Sequence, residues 1–476
     1  MERINKIMKV VFVSSEVAPF AKTGGLADVS SALPRALAKK GLKISVFMPL
    51  YKGIKKKEFL IRKKKNLSVM KLDFGVFHTA CDGVDFYFIE RDKMFARSGL
   101  YGTAKGDFAD NAQRFIFFQR AVLAAVRNLG IKPDVFHLND WQTALIPEFA
   151  AEEGVPAVLT VHNLAYQGIY EPKFASYAGL EGKRVLLNGR FNFLYSGLAA
   201  ADAITTVSPS YAEEVKTKRF GFGLDFLLRK RDACLKGILN GIDYSEWNPA
   251  SDGMLAEKYD AENPGGKIKC KRELQRRLGL PASDSMLVAF ISRLAEQKGV
   301  DIIIPALSEI LKSNVQVAVL ATGDDIYRRK LQAVKKKFPS GISLNLCFNN
   351  VLSHRIYAGS DVFLMPSLYE PCGLGSMIAF SYGSVPVVNP VGGLKDAVSP
   401  YNPSAGKGTG FFMRKYSSAS LVSSVRSAQA CWLMKQKWAR LVKRIMRLSF
   451  SWDKSAEEYI KLYGKLIRRK KRGRNA

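Results

Sequence analysis

Short apolar runs alternate with stretches whose apolar residues fall three and four apart. Residues 9–14 read as a strand; after Gly24 and Gly25, Leu26, Val29, Leu33 and Leu37 lie at helical spacing, and Gly41 ends that helix. Further strands are predicted at 43–49, 134–138, 157–161, 203–207 and 235–239, with Ser208 capping a helix that has Pro209 in its first turn. Between 244 and 284 the pattern lapses into Pro, Gly and charge (NPASDG, ENPGGK), which predicts a connection between domains. Alternation resumes with strands at 286–291, 315–321, 342–347, 362–365 and 385–388, and an amphipathic helix closes the chain from 451. Strand–helix alternation of this kind means parallel, doubly wound sheets. The expected architecture is α/β, with two Rossmann-like doubly wound domains facing a central cleft. Its parts are 1–243, a connection at 244–284, a second domain at 285–450, and the helix 451–476.

Length supports two domains, since 476 residues exceed a single ordinary core. A 47% hydrophobic and 24% charged composition is that of a globular chain. No apolar run approaches the roughly 18 residues of a membrane span, so no membrane partner is expected. The apolar run near the start, 10–13, is too short for a signal segment and meets Glu16 soon after; the expected location is cytoplasmic. Six scattered cysteines without a CxxC pair indicate neither a zinc ribbon nor a redox pair.

Charge is the unusual quantity: 73 Lys and Arg against 42 acids give +31. Clusters at 55–57, 63–65, 335–337 and 468–474 raise a nucleic-acid partner. They are dispersed and no nucleic-acid module accompanies them, so a lysine-rich solvated surface is the reading favoured here.

The chemistry is expected on loops at the carboxyl ends of strands, where open α/β sheets bind ligands. The first such loop reads SSEVAPFAKTGGLADV. Gly24 and Gly25 admit close backbone approach, the helix start favours an anion, and Lys22 adds a mobile cation. An ordinary glycine-containing turn is the other reading. Arg293 and Lys298 follow the 286–291 strand and suit a diphosphate; a surface cation pair is the alternative. PSLYEPCGLG supplies Glu370, then Cys372 and a helix start at which the N–H groups of Gly373, Leu374 and Gly375 can cradle phosphate. Glu370 either holds sugar hydroxyls or is a helix-start charge. His162 directly follows a strand, so it reaches a ligand or is a core histidine; Asp140 also ends a strand, beside a Trp141 that packs. No P-loop, HExxH or acidic metal pair is found (Asp324 and Asp325 are adjacent), so neither metal nor cofactor is expected.

KTGGLADV, HLNDWQTAL, TVHNLAYQG, NGIDYSEWNP, SRLAEQKG, TGD, SHRIYAGSDVFLMPS, EPCGLG and VGGLKD stand in this order from the first strand to about Val398, and WDKSAEEY follows. In this the chain resembles bacterial glycogen synthases and plant starch synthases. The resemblance implies the GT-B fold, its final helix crossing back to the first domain. It also implies transfer of glucose from ADP-glucose to the non-reducing end of an α-1,4-glucan such as glycogen, with retention. By the same match Lys22, Gly25, Arg293 and Lys298 would contact the donor diphosphate. His162 would face the glucose and Glu370 its hydroxyls, Phe348 would lie against adenine, and Asn240 belongs to the NGID hinge motif.

The chain departs from the family's pattern where Thr or Ser then Gln often follow EPCGL: here stand Gly375 and Ser376. Where many retaining relatives carry a second Glu, eight residues after the first, stands Ile378. A double displacement between two carboxylates is therefore not supported, and a front-face transfer fits better. Two rival readings stand beside this one. One is the same chemistry with UDP-glucose or another acceptor; the other is a non-catalytic binder of polyanion or glucan on the same fold. Oligomeric state is not legible.

Overall fold

The computed structural model describes residues 7–103, 106–182 and 184–474, the side chains of 473 and 474 excepted. Residues 1–6, and the last basic side chain of the 468–474 cluster, lie outside the described part. The chain forms two compact units. One runs to Asn240 and takes up the chain again from Trp452; the other is Gly241–Ser451.

The first unit is built on a nine-stranded sheet. Its order is Leu235–Gly237, Ala203–Thr206, Ala157–Val161, Val135–Asn139, Lys9–Val13, Lys43–Pro49, Val84–Glu90, Leu72–Cys81, Arg62–Val69. Pairing is parallel as far as Val84–Glu90 and antiparallel for the last two strands. Val10–Val13 are buried and lie between two parallel neighbours, which explains an unbroken apolar run. The chain leaves Lys9–Val13 toward one edge and returns beside it as Val135–Asn139. The loops after these two strands therefore share the point at which the strand order reverses.

The antiparallel excursion from Arg62 to Glu90 was not foreseen. The 63–65 lysine cluster lies exposed on its outermost strand, where charge blunts an open sheet edge. Ser208 caps its helix as expected, accepting the Tyr211 N–H.

The closing helix Trp452–Arg474 belongs to this unit. Trp452, Ala456, Tyr459, Tyr463 and Leu466 form its buried stripe. The Tyr463 hydroxyl lies 2.5 Å from His137 Nδ1, and Lys40–Glu457 and Lys236–Glu458 pair at 2.8 Å along its flanks.

The second unit carries a six-stranded parallel sheet. Its order is Ile342–Asn345, Val315–Gly323, Met286–Leu294, Val362–Met365, Val385–Val388, Phe411–Phe412. The reversal falls between Met286–Leu294 and Val362–Met365.

The stretch 244–284, read above as a connection, is part of this unit. Its Pro, Gly and charge conceal buried anchors. Trp247 stacks on His354 at 4.1 Å between ring centroids, and Asp252 accepts from the Tyr382 hydroxyl at 2.6 Å and lies 2.7 Å from His354 Nδ1. The helix Gly266–Arg277 then packs Cys270 and Leu274 into the interior.

Candidate active site

In the first unit, the loop that follows Lys9–Val13 carries Lys22, Thr23, Gly24 and Gly25 at the surface, with the helix Gly25–Lys39 starting behind it. Lys22 Nζ pairs with Asp28 Oδ1 at 2.6 Å, both side chains about one third exposed. A side chain built at Gly24 would meet nothing within 4 Å. Packing within the chain therefore does not require glycine there, and the space above the helix start is open.

Glu16 lies beneath this loop with 3% of its surface exposed. Its carboxylate accepts from the Thr23 N–H (2.5 Å), the Thr23 hydroxyl (2.6 Å), the Gly24 N–H (3.3 Å) and the Tyr101 hydroxyl (2.7 Å). Thr23 and Gly24 thus turn their N–H groups inward. The backbone approach expected of Gly24 is modified accordingly, leaving the Gly25 end of the loop and Lys22 to face an anion.

Across the reversal point, Asp140 ends the strand Val135–Asn139 with φ 57° and ψ −175°, a region L-residues avoid at a cost of about 1–3 kcal/mol. Its Oδ1 accepts the His162 N–H at 2.7 Å. Burial pushes the Asp140 carboxyl up to about 7; the His162 and Asn163 N–H groups oppose this and the nearby Glu16 charge adds to it. Burial holds His162 down to about 3, so the ring is neutral.

Asn139 fixes the tautomer of that ring. Its Nδ2 donates to the Val13 carbonyl at 3.0 Å, so its Oδ1 faces His162 Nε2 at 2.9 Å and Nε2 carries the proton. His162 Nδ1 is left with a lone pair, an acceptor suited to a sugar hydroxyl. Asn240, at the end of this unit, is 3% exposed, and its Oδ1 has no hydrogen-bond partner among the described residues.

In the second unit the reversal point brings together the loops after Met286–Leu294 and Val362–Met365. Lys298 Nζ lies 2.7 and 3.0 Å from the two oxygens of Glu370, which also accepts from the Ser367 hydroxyl at 2.8 Å. The Leu368 N–H donates to the Gln297 carbonyl and joins the two loops. Gly299, with φ 73°, is required there: a Cβ would come within 2.2 Å of the Pro366 carbonyl oxygen. Arg293 is exposed, its Nη2 3.4 Å from Gln297 Oε1.

Gly373 precedes the helix Leu374–Ser381 with φ 82°, and Gly375 packs close to Phe363 and Met365. Cys372 is buried, and the Ser376 hydroxyl is spent on the Gly373 carbonyl at 2.7 Å. Phe348 stands apart from this group, 79% exposed on the loop after Ile342–Asn345. Among the described residues no three His, Cys, Asp or Glu side chains gather as a metal site.

Two family models match the chain, the starch synthase catalytic domain over residues 9–230 and glycosyl transferases group 1 over residues 271–444. A glycogen synthase of Clostridium botulinum (strain Alaska E43 / Type E3) is 39% identical over 480 residues, covering 96% of this chain and 99% of its own. One from Thermotoga maritima is 41% identical, covering 97% and 99%. The chain belongs to the glycogen synthase family. The catalytic domain of starch synthase IV from Arabidopsis thaliana, solved bound to ADP and acarbose, superposes with a TM-score of 0.90 at 32% identity, over 97% of this chain and 99% of that one. A sucrose-phosphate synthase from Thermosynechococcus elongatus shares the fold alone, with a TM-score of 0.62 at 16% identity.

Membership makes the chain a glycosyltransferase, and its two Rossmann-like units are those of the GT-B fold. No described helix is long and apolar enough to cross a membrane. Glu16, Asn139 and Ser367 are marked only weakly in the sequence: a lone acid three residues past an apolar strand (SSEVAP), a polar residue at the last position of another, and a serine two residues past a third.

Proposed function

We propose that this glycosyltransferase moves glucose from ADP-glucose to the non-reducing end of an α-1,4-glucan, with retention and release of ADP. The observation that carries the reading is the Lys298–Glu370 pair at the reversal point of the second unit, beside Arg293 and the helix start at Gly373. The starch synthase IV catalytic domain that shares this architecture was solved bound to ADP and acarbose.

Lys22, Arg293 and Lys298 are the cations assigned to the diphosphate, which they stabilise as the bond from phosphate oxygen to glucose C1 breaks. The acceptor hydroxyl oxygen forms the new bond to C1 from the same face, and its proton passes to the departing phosphate oxygen. Glu370 binds glucose hydroxyls with the oxygens that Lys298 and Ser367 orient. His162, neutral with an open Nδ1, accepts from a hydroxyl of the same glucose. Phe348 lies against the adenine, and Asn240 belongs to the segment joining the two units.

Purified protein with glycogen and ADP-glucose should release ADP, and ADP-glucose should compete effectively against UDP-glucose. Faster turnover of UDP-glucose would replace the donor. Release of neither nucleotide, under conditions where a known synthase works, would remove the catalytic reading. Lys22→Ala should lower kcat/KM for the donor by about 10²–10³-fold, the scale of one transition-state donor.

A further inference from the structure

Thr23, Gly24 and Gly25 are exposed, yet two of their N–H groups and the Thr23 hydroxyl point inward to a single buried carboxylate. We infer that Glu16 is a positioning residue: it sets the conformation of the Lys-Thr-Gly-Gly loop and, through it, where the donor diphosphate lies. The inference rests on the reading of that loop as a diphosphate site.

Glu16 is itself firmly placed. Ser14 Oγ donates to the Glu16 carbonyl at 2.8 Å and accepts the Glu16 N–H at 3.3 Å, and Ser30 of the following helix donates to Ser14 at 2.9 Å. The Tyr101 hydroxyl, 2.7 Å from both Glu16 Oε1 and Ser15 Oγ, closes the far side. The strand end, the helix and the Tyr101 loop therefore converge on this one carboxylate. A carboxylate offers acceptors only, and here it meets four donors.

The arrangement has a chemical consequence. Glu16 occupies the N–H groups of Thr23 and Gly24 as an internal anion. The ligand's anion is thereby directed to the Gly25 end of the helix start and to Lys22, whose ammonium is parked on Asp28. Without Glu16, two amides and a hydroxyl would be released and the loop would have no fixed register against the helix.

The two simplest replacements should behave differently. Glu16→Ala leaves all four donors without an acceptor. Glu16→Gln can place its amide oxygen toward the Thr23 and Gly24 N–H groups, and its NH₂ toward the Thr23 and Tyr101 hydroxyls, which can rotate to accept. The expected result for full-length Glu16→Ala is amide exchange at Thr23 and Gly24 accelerated about tenfold or more. Its kcat/KM for ADP-glucose should fall about 10²-fold, as a loop displaced by about 1 Å would give, with KM for glycogen unchanged. Glu16→Gln should return donor kinetics to within about tenfold of the starting enzyme.

Unchanged exchange at Thr23 and Gly24 in a folded Glu16→Ala protein would overturn the inference, as would equal losses toward donor and glycogen. Accelerated exchange with donor kinetics intact would also overturn the donor consequence. A full-rate Lys22→Ala enzyme in the same assay would then show that the loop's assignment as a diphosphate site is what failed. If Glu16→Ala does not fold, Thr23→Val carries the same test through exchange at Gly24 and donor KM, and unchanged values there overturn the proposal.

Discussion

Lys298 Nζ bridges both carboxylate oxygens of Glu370, at 2.7 and 3.0 Å, where two loops meet at the strand-order reversal of the second unit. The side chains are 19% and 9% exposed, so the pair is largely desolvated and removing one partner strands the other. Lys298→Met should destabilise the protein by about 3 kcal/mol, and Lys298→Met combined with Glu370→Gln should recover part of that loss. Urea unfolding of the single and double variants measures the coupling. The assigned role adds a kinetic expectation: kcat/KM for the donor should fall about 10²–10³-fold in Lys298→Met.

Phe348 poses the opposite case, a large apolar side chain held in solvent with 79% of its surface exposed. Its removal costs the fold little, within about 0.5 kcal/mol for a surface position. If it stacks on the donor base, Phe348→Ala should raise KM for ADP-glucose by roughly 5- to 100-fold, the range of base–aromatic stacking. KM for glycogen should not move. Steady-state kinetics with each substrate varied in turn decide this, and an unchanged donor KM would remove Phe348 from the nucleotide site.

Much of this was legible in advance because buried parallel strands write themselves as unbroken apolar runs. The strands Lys9–Val13, Ala157–Val161, Met286–Leu294 and Val385–Val388 all stand where such runs were read. The strand Arg62–Val69 was not, because its surface is lysine and its pairing is made at an edge. The 244–284 stretch reads as a connection for a related reason: a few anchors, Trp247, Asp252 and Tyr259, fasten it while most of its residues stay polar. Glu16 was invisible to motif reading because its importance lies in four donors that come from residues 23, 24 and 101. A sequence shows a carboxylate; only the fold shows what surrounds it.

The reversal point of the first unit should have a distinctive pH response. Asp140, pushed up to about 7 by burial, binds its proton more tightly folded than unfolded. Its contribution to stability is complete below the ordinary aspartate range and is lost as pH rises through about 7. His137 and His162, held down to about 3 by burial, act the other way: their contribution is present above the usual histidine range and is lost as pH falls from about 6.5 toward 3. From pH 4 to 6.5 the two histidines therefore raise stability with pH while Asp140 lowers it. Asp140→Asn removes the opposing contribution, so its stability should climb more steeply over that window than that of the parent. Chemical denaturation at half-unit pH steps measures the slope, and parallel curves would show that Asp140 does not titrate there. In kinetics, an ionisation near pH 7 in kcat/KM should disappear in Asp140→Asn.

The closing helix makes the last case, because a buried hydrogen bond ties it to the sheet beneath the site. Tyr463, fully buried, places its hydroxyl 2.5 Å from His137 Nδ1, while His137 Nε2 lies 2.7 Å from the Thr160 hydroxyl, itself 2.6 Å from that of Thr205. This chain of polar groups crosses three strands, two of which end next to Asp140 and His162. Tyr463→Phe keeps the ring in its packing against His137 and Tyr459 but leaves the His137 nitrogen without its partner in a dry interior. The cost should be about 1–3 kcal/mol. Replacing His137 by Leu in the same protein removes that orphaned nitrogen but leaves the Thr160 hydroxyl to Thr205 alone, so the double variant should lose less than the sum of the two single variants. Strict additivity in unfolding experiments would show that the Tyr463–His137 contact does not couple the helix to the strand beneath it. Coupling would show instead that the end of the chain and the strand carrying Asn139 to Asp140 respond to one another through a single imidazole.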